Sequence, residues 1–148
     1  MATLRGCNLP EELYYNIEKH VWAKPMDGGI IRVGITSVAA KLSGGKLAAV
    51  TVKAKNIGQE IKQGKSVATV ESSKFVGPVP APVTGVLQRG NDKLAQDPNI
   101  AVADPYGEGW IAELKANDWE GEKGALVTGP DGLAKYQAKL EADGISCQ

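Results

Sequence analysis

Lys74 closes the stretch Glu71-Ser72-Ser73-Lys74, between two strand-forming runs, Lys65 to Val70 before it and Phe75 to Val79 after it. β-branched and apolar residues separated by a short polar tip read as the two arms of a hairpin. A primary amine at such a tip is held clear of the protein body and open to an outside enzyme. That suits a lysine meant to be covalently loaded. The same placement has a plainer use, because a charge at a hairpin tip keeps the turn solvated and discourages edge pairing. The lysine alone does not choose between the two.

Other residues able to do chemistry are few. The chain has one histidine, His20, and two cysteines, Cys7 and Cys147, near opposite ends. The cysteines make no Cys-x-x-Cys pair, so they read as two free thiols in a reducing compartment. With a single histidine beside them, no metal site is expected. His20, followed by Val21-Trp22, reads as a structural or cleft-lining residue.

The elements that must position Lys74 follow from punctuation and periodicity. Pro10 to Tyr15 reads as a helical turn or loop ahead of the first strand, and Tyr15 to Lys24 alternates apolar with polar residues. The turn Pro25-Met26-Asp27-Gly28-Gly29 leads into β-branched Ile30 to Ile35, completing a hairpin. Thr36 is a candidate N-cap for a short helix over Ser37 to Leu42, which Gly44-Gly45 ends. Leu47 to Lys53, Gly85 to Arg89 and Trp110 to Leu114 read as further strands, and Asn91 to Asp97 as a helical turn closed by Pro98. From Pro130 the pattern changes: Asp131 is placed to cap a helix in which Leu133, Tyr136 and Leu140 recur near helical spacing, and Gly144 ends it. The fold class expected is all-β, two small antiparallel sheets packed as a flattened barrel-sandwich hybrid. A short helix follows the first hairpin and a longer one lies at the C-terminus. One domain over 1–148 is expected, with the β core at about 14–117 and a C-terminal helical extension at about 118–148.

Composition narrows the function classes. At 148 residues the chain fits one domain with a real core, and with aromatics at only 5% that core must be aliphatic. Seventeen basic and 17 acidic residues leave no net charge, so nothing draws the chain to nucleic acid or to an anionic membrane. No apolar run is long enough for a membrane span. The first seven residues lack the apolar segment of a secretory signal, so a cytoplasmic location is expected.

Two motifs narrow the role of Lys74. Glu71-Ser72-Ser73-Lys74 followed by Pro82-Val83-Thr84-Gly85 resembles the lipoyl attachment hairpin of the glycine cleavage H protein family, where an E-S-x-K tip precedes a P-V-S-G turn at the same offsets. Asp104-Pro105-Tyr106-Gly107-Glu108-Gly109-Trp110 resembles that family's D-P-Y-G-E-G-W segment, and the likeness runs from about Tyr14 to Asn117. The resemblance implies lipoate held as a covalent lipoamide on Lys74, with Glu71, Ser72, Ser73 and Phe75 forming the attachment hairpin. It also implies a lipoate-protein ligase that reads Glu71, and a carrier in a multienzyme system rather than an enzyme. Biotin hairpins typically flank their lysine with methionines, whereas Ser73 and Phe75 stand here. The Asp104–Trp110 segment reads as a turn anchored by its tryptophan, with partner docking through Tyr106 and Glu108 as the alternative.

The cargo is read from two departures. In glycine cleavage carriers the loaded arm folds back, and its amine is held by the glutamate of an H-E-W motif and by an aspartate four residues after the lysine. Val21 and Pro78 stand at those positions. An amine buried without a counter-charge is heavily penalised. With the flank Phe75 to Pro80 and the run Cys7 to Tyr15, the chain is similar to the lipoate-binding proteins of the heterodisulfide-reductase-like sulfur oxidation pathway. That likeness implies sulfur intermediates as cargo, with a heterodisulfide-reductase-like complex and sulfur transferases as partners. The alternative is the glycine cleavage carrier of an aminomethyl group, serving glycine decarboxylase and aminomethyltransferase. A third reading is an unmodified interaction domain. For a sulfur carrier, Cys7 and Cys147 would also be candidates for exchange with the lipoyl sulfurs.

Overall fold

The computed structural model describes residues 2–74 and 76–148. The chain opens on a hairpin of β1 (Ala2–Leu4) and β2 (Cys7–Leu9), turned by Arg5 and Gly6 at positive φ. There follow β3 (Tyr14–Asn16), β4 (Val21–Pro25), β5 (Ile30–Ile35), α1 (Ser37–Leu42), β6 (Ala49–Thr51) and β7 (Glu60–Ile61). The second half carries β8 (Ser66–Glu71), β9 (Val76–Pro80), β10 (Gly85–Gly90), α2 (Asp92–Gln96), α3 (Ile100–Ala103) and β11 (Ala112–Ala116). It ends with α4 (Trp119–Glu122), β12 (Val127–Thr128) and α5 (Gly129–Asp143).

All strand pairs are antiparallel. A seven-stranded sheet runs β12-β3-β4-β5-β11-β10-β7, and a three-stranded sheet runs β6-β8-β9. Both feed one aliphatic core, in which Val21, Ile31, Val33 and Leu114 of the larger sheet meet Val67, Val70 and Val79 of the smaller. Burying each such side chain is worth roughly 1.5–3 kcal/mol, so this shared layer is what fixes the hairpin to the body. The barrel-sandwich expected from the sequence is the fold observed.

Local chemistry explains the elements next to the site. The Thr36 hydroxyl accepts from the Ala39 N–H at 3.4 Å and caps α1, which ends where Gly44 and Gly45 turn with positive φ. Thr128, not Asp131, holds the N-cap position of the long helix α5, but its hydroxyl donates to the Leu13 carbonyl at 2.8 Å instead of capping; Asp131 lies in the first turn, and left-handed Gly144 closes the helix.

Three expectations need correction. The first strand lies earlier than Tyr15, because Ala2 to Leu9 already form a hairpin. Trp110 precedes its strand, which starts at Ala112. The cysteines are not free thiols: Cys7 and Cys147 form a disulfide, with Cα atoms 5.0 Å apart across 140 residues of sequence. The two ends meet because the Cys147 N–H donates to the Arg5 carbonyl at 3.0 Å and Arg5 Nε donates to the Ile145 carbonyl at 2.7 Å. The C-terminal segment is woven into the body. β12 pairs with Tyr14 and Tyr15 of β3, and Leu133, Tyr136 and Leu140 of α5 share a second core with Cys7, Leu9, Trp22 and Val38.

Candidate functional site

Lys74 sits at the tip between β8 and β9, whose register pairs Glu71 with Val76, Val70 with Gly77 and Thr69 with Pro78. Glu71 ends β8 and is exposed, as are Ser73 and Lys74. Ser72 is buried, and its hydroxyl accepts from the Lys74 N–H at 3.2 Å, which fixes the backbone at the tip. Phe75 lies outside the described residues. β9 is the edge of its sheet, so Pro78 and Pro80 fall where a missing N–H costs little, and they block further strand addition. The end of the Lys74 side chain passes over Gly44, where a Cβ would lie 3.2 Å from Cε.

The base of the hairpin is clamped by the turn after it. The Thr84 N–H and hydroxyl donate to the two carboxylate oxygens of Glu122 at 2.8 and 2.9 Å, and the Gln63 side chain donates to the Pro82 carbonyl at 3.0 Å. Gly85 is required by close approach, since a Cβ there would stand 2.5 Å from the Lys115 carbonyl oxygen. The Pro82 to Gly85 motif is therefore a footing for the tip.

Beside the hairpin opens a cleft of about 260 Å³. Val70, Gly77, Pro78 and Val79 line it from the hairpin, Val21 and Ile35 from the large sheet, Ala39 and Leu42 from α1, and Glu18 to His20 from the β3–β4 turn. Val21 and Pro78, the two positions noted in the sequence as lacking acids, both face this space. The one acid of the lining, Glu18, is held by Lys139 of α5 at 3.1 Å, and Lys139 also pairs with Asp143 at 3.2 Å. Lys19 has no ion pair among the described residues.

His20 is fastened at the cleft wall in the left-handed region (φ 60°), which is uncommon outside glycine though histidine tolerates it better than most. Its Nδ1 lies 2.7 Å from the Tyr136 hydroxyl, which is in turn 3.1 Å from Thr36 Oγ1. Burial pushes the imidazole below the ordinary histidine range despite opposing pulls from Asp143 and Glu18, and burial pushes the Tyr136 phenol up. This relay was missed in the sequence. The recurrence of Tyr136 in α5 marks it as buried, but nothing in its spacing points to His20.

The Asp104–Trp110 segment works as an internal fastener. An Asp104 carboxylate oxygen accepts from the Glu108 N–H at 2.9 Å, the Pro105 carbonyl accepts from the Trp22 indole N–H at 3.0 Å, and the Tyr106 hydroxyl donates to the Asn8 carbonyl at 2.5 Å. Glu108 is exposed and pairs with Lys93. The Arg32 and Arg89 guanidinium groups both lie over the Trp110 ring, 4.7 and 5.1 Å from its centroid, and both arginines bind Glu113. Burial alone would raise the Glu113 carboxyl, but the hydrogen bonds from Arg89 and Arg32 outweigh it and hold the group below its usual range.

No group of three or more potential metal ligands gathers among the described residues, and no helix there is long and apolar enough to cross a membrane. The sequence profile described as Glycine cleavage H-protein matches residues 13–140. Glycine cleavage system H protein 2 of Aquifex aeolicus is 40% identical over 143 residues, covering 97% of this chain and 87% of that one. Glycine cleavage system H protein 5 of the same organism is 42% identical over 151 residues, 99% of each chain. The crystal structure of a glycine cleavage system H protein from Mycobacterium marinum superposes with a TM-score of 0.73 at 29% identity, covering 93% of this chain and all of that one.

Proposed function

The chain belongs to the glycine cleavage H-protein family, whose members carry lipoate on a lysine, and from that footing we propose that Lys74 is the lysine it uses. The residues fit the group. Lys74 is exposed at a tip, Ser72 orders its backbone, and an apolar cleft opens beside the hairpin. When bound, lipoamide supplies a dithiol–disulfide pair for exchange and group carriage between enzymes. The chain's own residues present the amine to a lipoate-protein ligase, with exposed Glu71 as part of the read surface. They stiffen the outgoing arm through Pro78 and Pro80, and offer Val21, Ile35, Leu42 and Val79 as an apolar surface beside it. Carriage of this kind needs no catalytic base in the protein.

The cleft best supports a sulfur intermediate as cargo, passed between a heterodisulfide-reductase-like complex and sulfur transferases. One observation carries this reading: Val21 and Pro78 line the cleft where an amine cargo would need acids, and Glu18 is already paired with Lys139. An apolar or anionic sulfur cargo needs no carboxylate clamp.

The second reading is the glycine cleavage carrier of an aminomethyl group, with glycine decarboxylase and aminomethyltransferase as partners. It is favoured by the names of the relatives and by the near-complete coverage of their length. Two measurements separate the readings. Intact mass from the native host, compared with Lys74→Arg, tests the tether, and an unmodified Lys74 there ends both carrier readings. Lipoylated protein incubated with glycine decarboxylase and glycine then tests the cargo. Robust formation of the aminomethyl adduct establishes the second reading and removes the first.

A further inference from the structure

We propose that His20 and Lys19 make one wall of the cleft an acceptor-recognising site, selective for an anionic group at the end of the arm, with Tyr136 and Thr36 as the residues that set it. This inference rests on Lys74 being the tether, and it specifies the class of cargo.

Thr36 is fully buried, and its Oγ1 already accepts from the Ala39 N–H. Among the described residues its hydroxyl hydrogen has one partner within reach, the Tyr136 oxygen at 3.1 Å. Once Tyr136 accepts there, its own hydrogen goes to His20 Nδ1 at 2.7 Å. Run the other way, the relay would leave the Thr36 hydrogen without an acceptor in the interior, a costly arrangement. His20 therefore carries its proton on Nε2. No side-chain nitrogen or oxygen of the described residues is both buried and unpartnered, and Nε2 has no partner among them, so this N–H reaches solvent. His20 is a residue of the cleft wall, and the left-handed turn at φ 60° is the backbone cost of placing it there.

Charge does not oppose the donor. Of the ionisable groups lining the cleft, Glu18 shares Lys139 with Asp143, while Lys19 has no ion pair among the described residues, so these four charges balance. Val21 and Pro78 contribute no acid. The preference comes from the N–H donor and the Lys19 ammonium on a wall whose one carboxylate is already bound, which favour an oxyanion over a cation. A cationic cargo would meet Lys19 and a donor pointing the wrong way.

The test uses lipoylated protein with the arm reduced enzymatically, so that the Cys7–Cys147 disulfide stays intact. Iodoacetate then alkylates the arm, each thiolate displacing iodide, to give a carboxymethyl anion. Bromoethylamine gives an aminoethyl cation of similar length by displacing bromide. Intact mass before and after confirms that Lys74 bears the arm, so a failure of the tether is seen apart from the result below. The readout is NMR of the His20 imidazole nitrogens together with the Val21, Ala39 and Val79 cross-peaks. The Nε2–H tautomer is expected throughout. With the carboxymethyl arm, Nε2 and the three cleft residues should shift; with the aminoethyl arm they should stay in place. His20→Asn, which keeps a side chain tolerant of the left-handed turn, should lower the docked fraction of the anionic arm by about tenfold. Tyr136→Phe should mix the tautomers and weaken docking, and Thr36→Val repeats that test without touching the Tyr136 ring. Equal shifts with both arms, larger shifts with the cation, or an Nδ1–H tautomer would overturn the proposal.

Discussion

Val21 on β4 and Pro78 on β9, far apart in the chain, line the same cleft beside the Lys74 hairpin. Val21 is almost wholly buried whereas Pro78 is exposed, so a carboxylate is tolerable only at the second position. Pro78→Asp should change stability by less than about 0.5 kcal/mol, as expected for an exposed edge position. It should nevertheless raise the docked fraction of an arm ending in a cation several-fold, read by cross-peak shifts at Val21 and Val79. Val21→Glu should instead destabilise the protein by several kcal/mol, through an unpaired buried charge. If Pro78→Asp leaves a cationic arm undocked, the missing acids are not what sets the cargo.

The Cys7–Cys147 bond closes a loop of 140 residues, joining the first hairpin to the tail beyond α5. Chain entropy gives a ceiling of ~5 kcal/mol for such a loop. Cys7→Ser with Cys147→Ser should therefore lower unfolding stability in urea by about 3–5 kcal/mol, with the linkage in the native protein verified by mass before and after reduction. A loss under about 1 kcal/mol would mean the ends are held mainly by the Arg5 contacts and the second core.

Much of this was legible in the sequence. The hairpin arms, the Thr36 cap with its Gly44-Gly45 stop, and α5 up to Gly144 all follow from local rules, because each depends on residues near one another in the chain. The disulfide was not legible, since two cysteines at opposite ends give no spacing signal. Nor was the register that sends β12 to pair with Tyr14 and Tyr15, because two-residue strands have no periodicity. The same holds within the site. The tip announced itself by motif, and the missing acids by position. The relay from Thr36 through Tyr136 to His20 joins three elements and exists only in the folded chain.

Glu113 is buried, and both Arg32 and Arg89 bind it at 2.9 and 2.6 Å while lying over the Trp110 ring. Its carboxyl is held below the usual range, so it contributes stability that is present above the unfolded carboxylate value of about 4.3 and is lost as pH falls through the folded value. Glu113→Gln should cost about 2 kcal/mol at neutral pH, the scale of charge-assisted hydrogen bonds, and the deficit should shrink in acid. Urea unfolding of both proteins from pH 7 to pH 3 checks this. A deficit that stays constant across that range would show that the pair contributes packing rather than charge.

His20 gives the opposite end of the pH scale a marker. The groups facing it are the Tyr136 hydroxyl, Lys139 and Asp143 of α5, and Glu18 beside it in the turn. Burial lowers its folded value below the unfolded one of about 6.5, so the unfolded chain binds the extra proton first. The stability tied to neutral His20 is thus present above pH ~6.5 and is lost as pH falls through the folded value, with a slope no steeper than about 1.4 kcal/mol per unit for one proton. Wild type should lose stability between pH 6.5 and pH 5 relative to His20→Asn, which removes the titrating ring and suits the left-handed backbone. Tyr136→Phe should shift the His20 titration itself, followed by NMR, since Nδ1 then loses its one hydrogen-bond partner. Parallel stability curves for wild type and His20→Asn would show that the ring titrates as though exposed, and that burial at the cleft wall does not govern its charge.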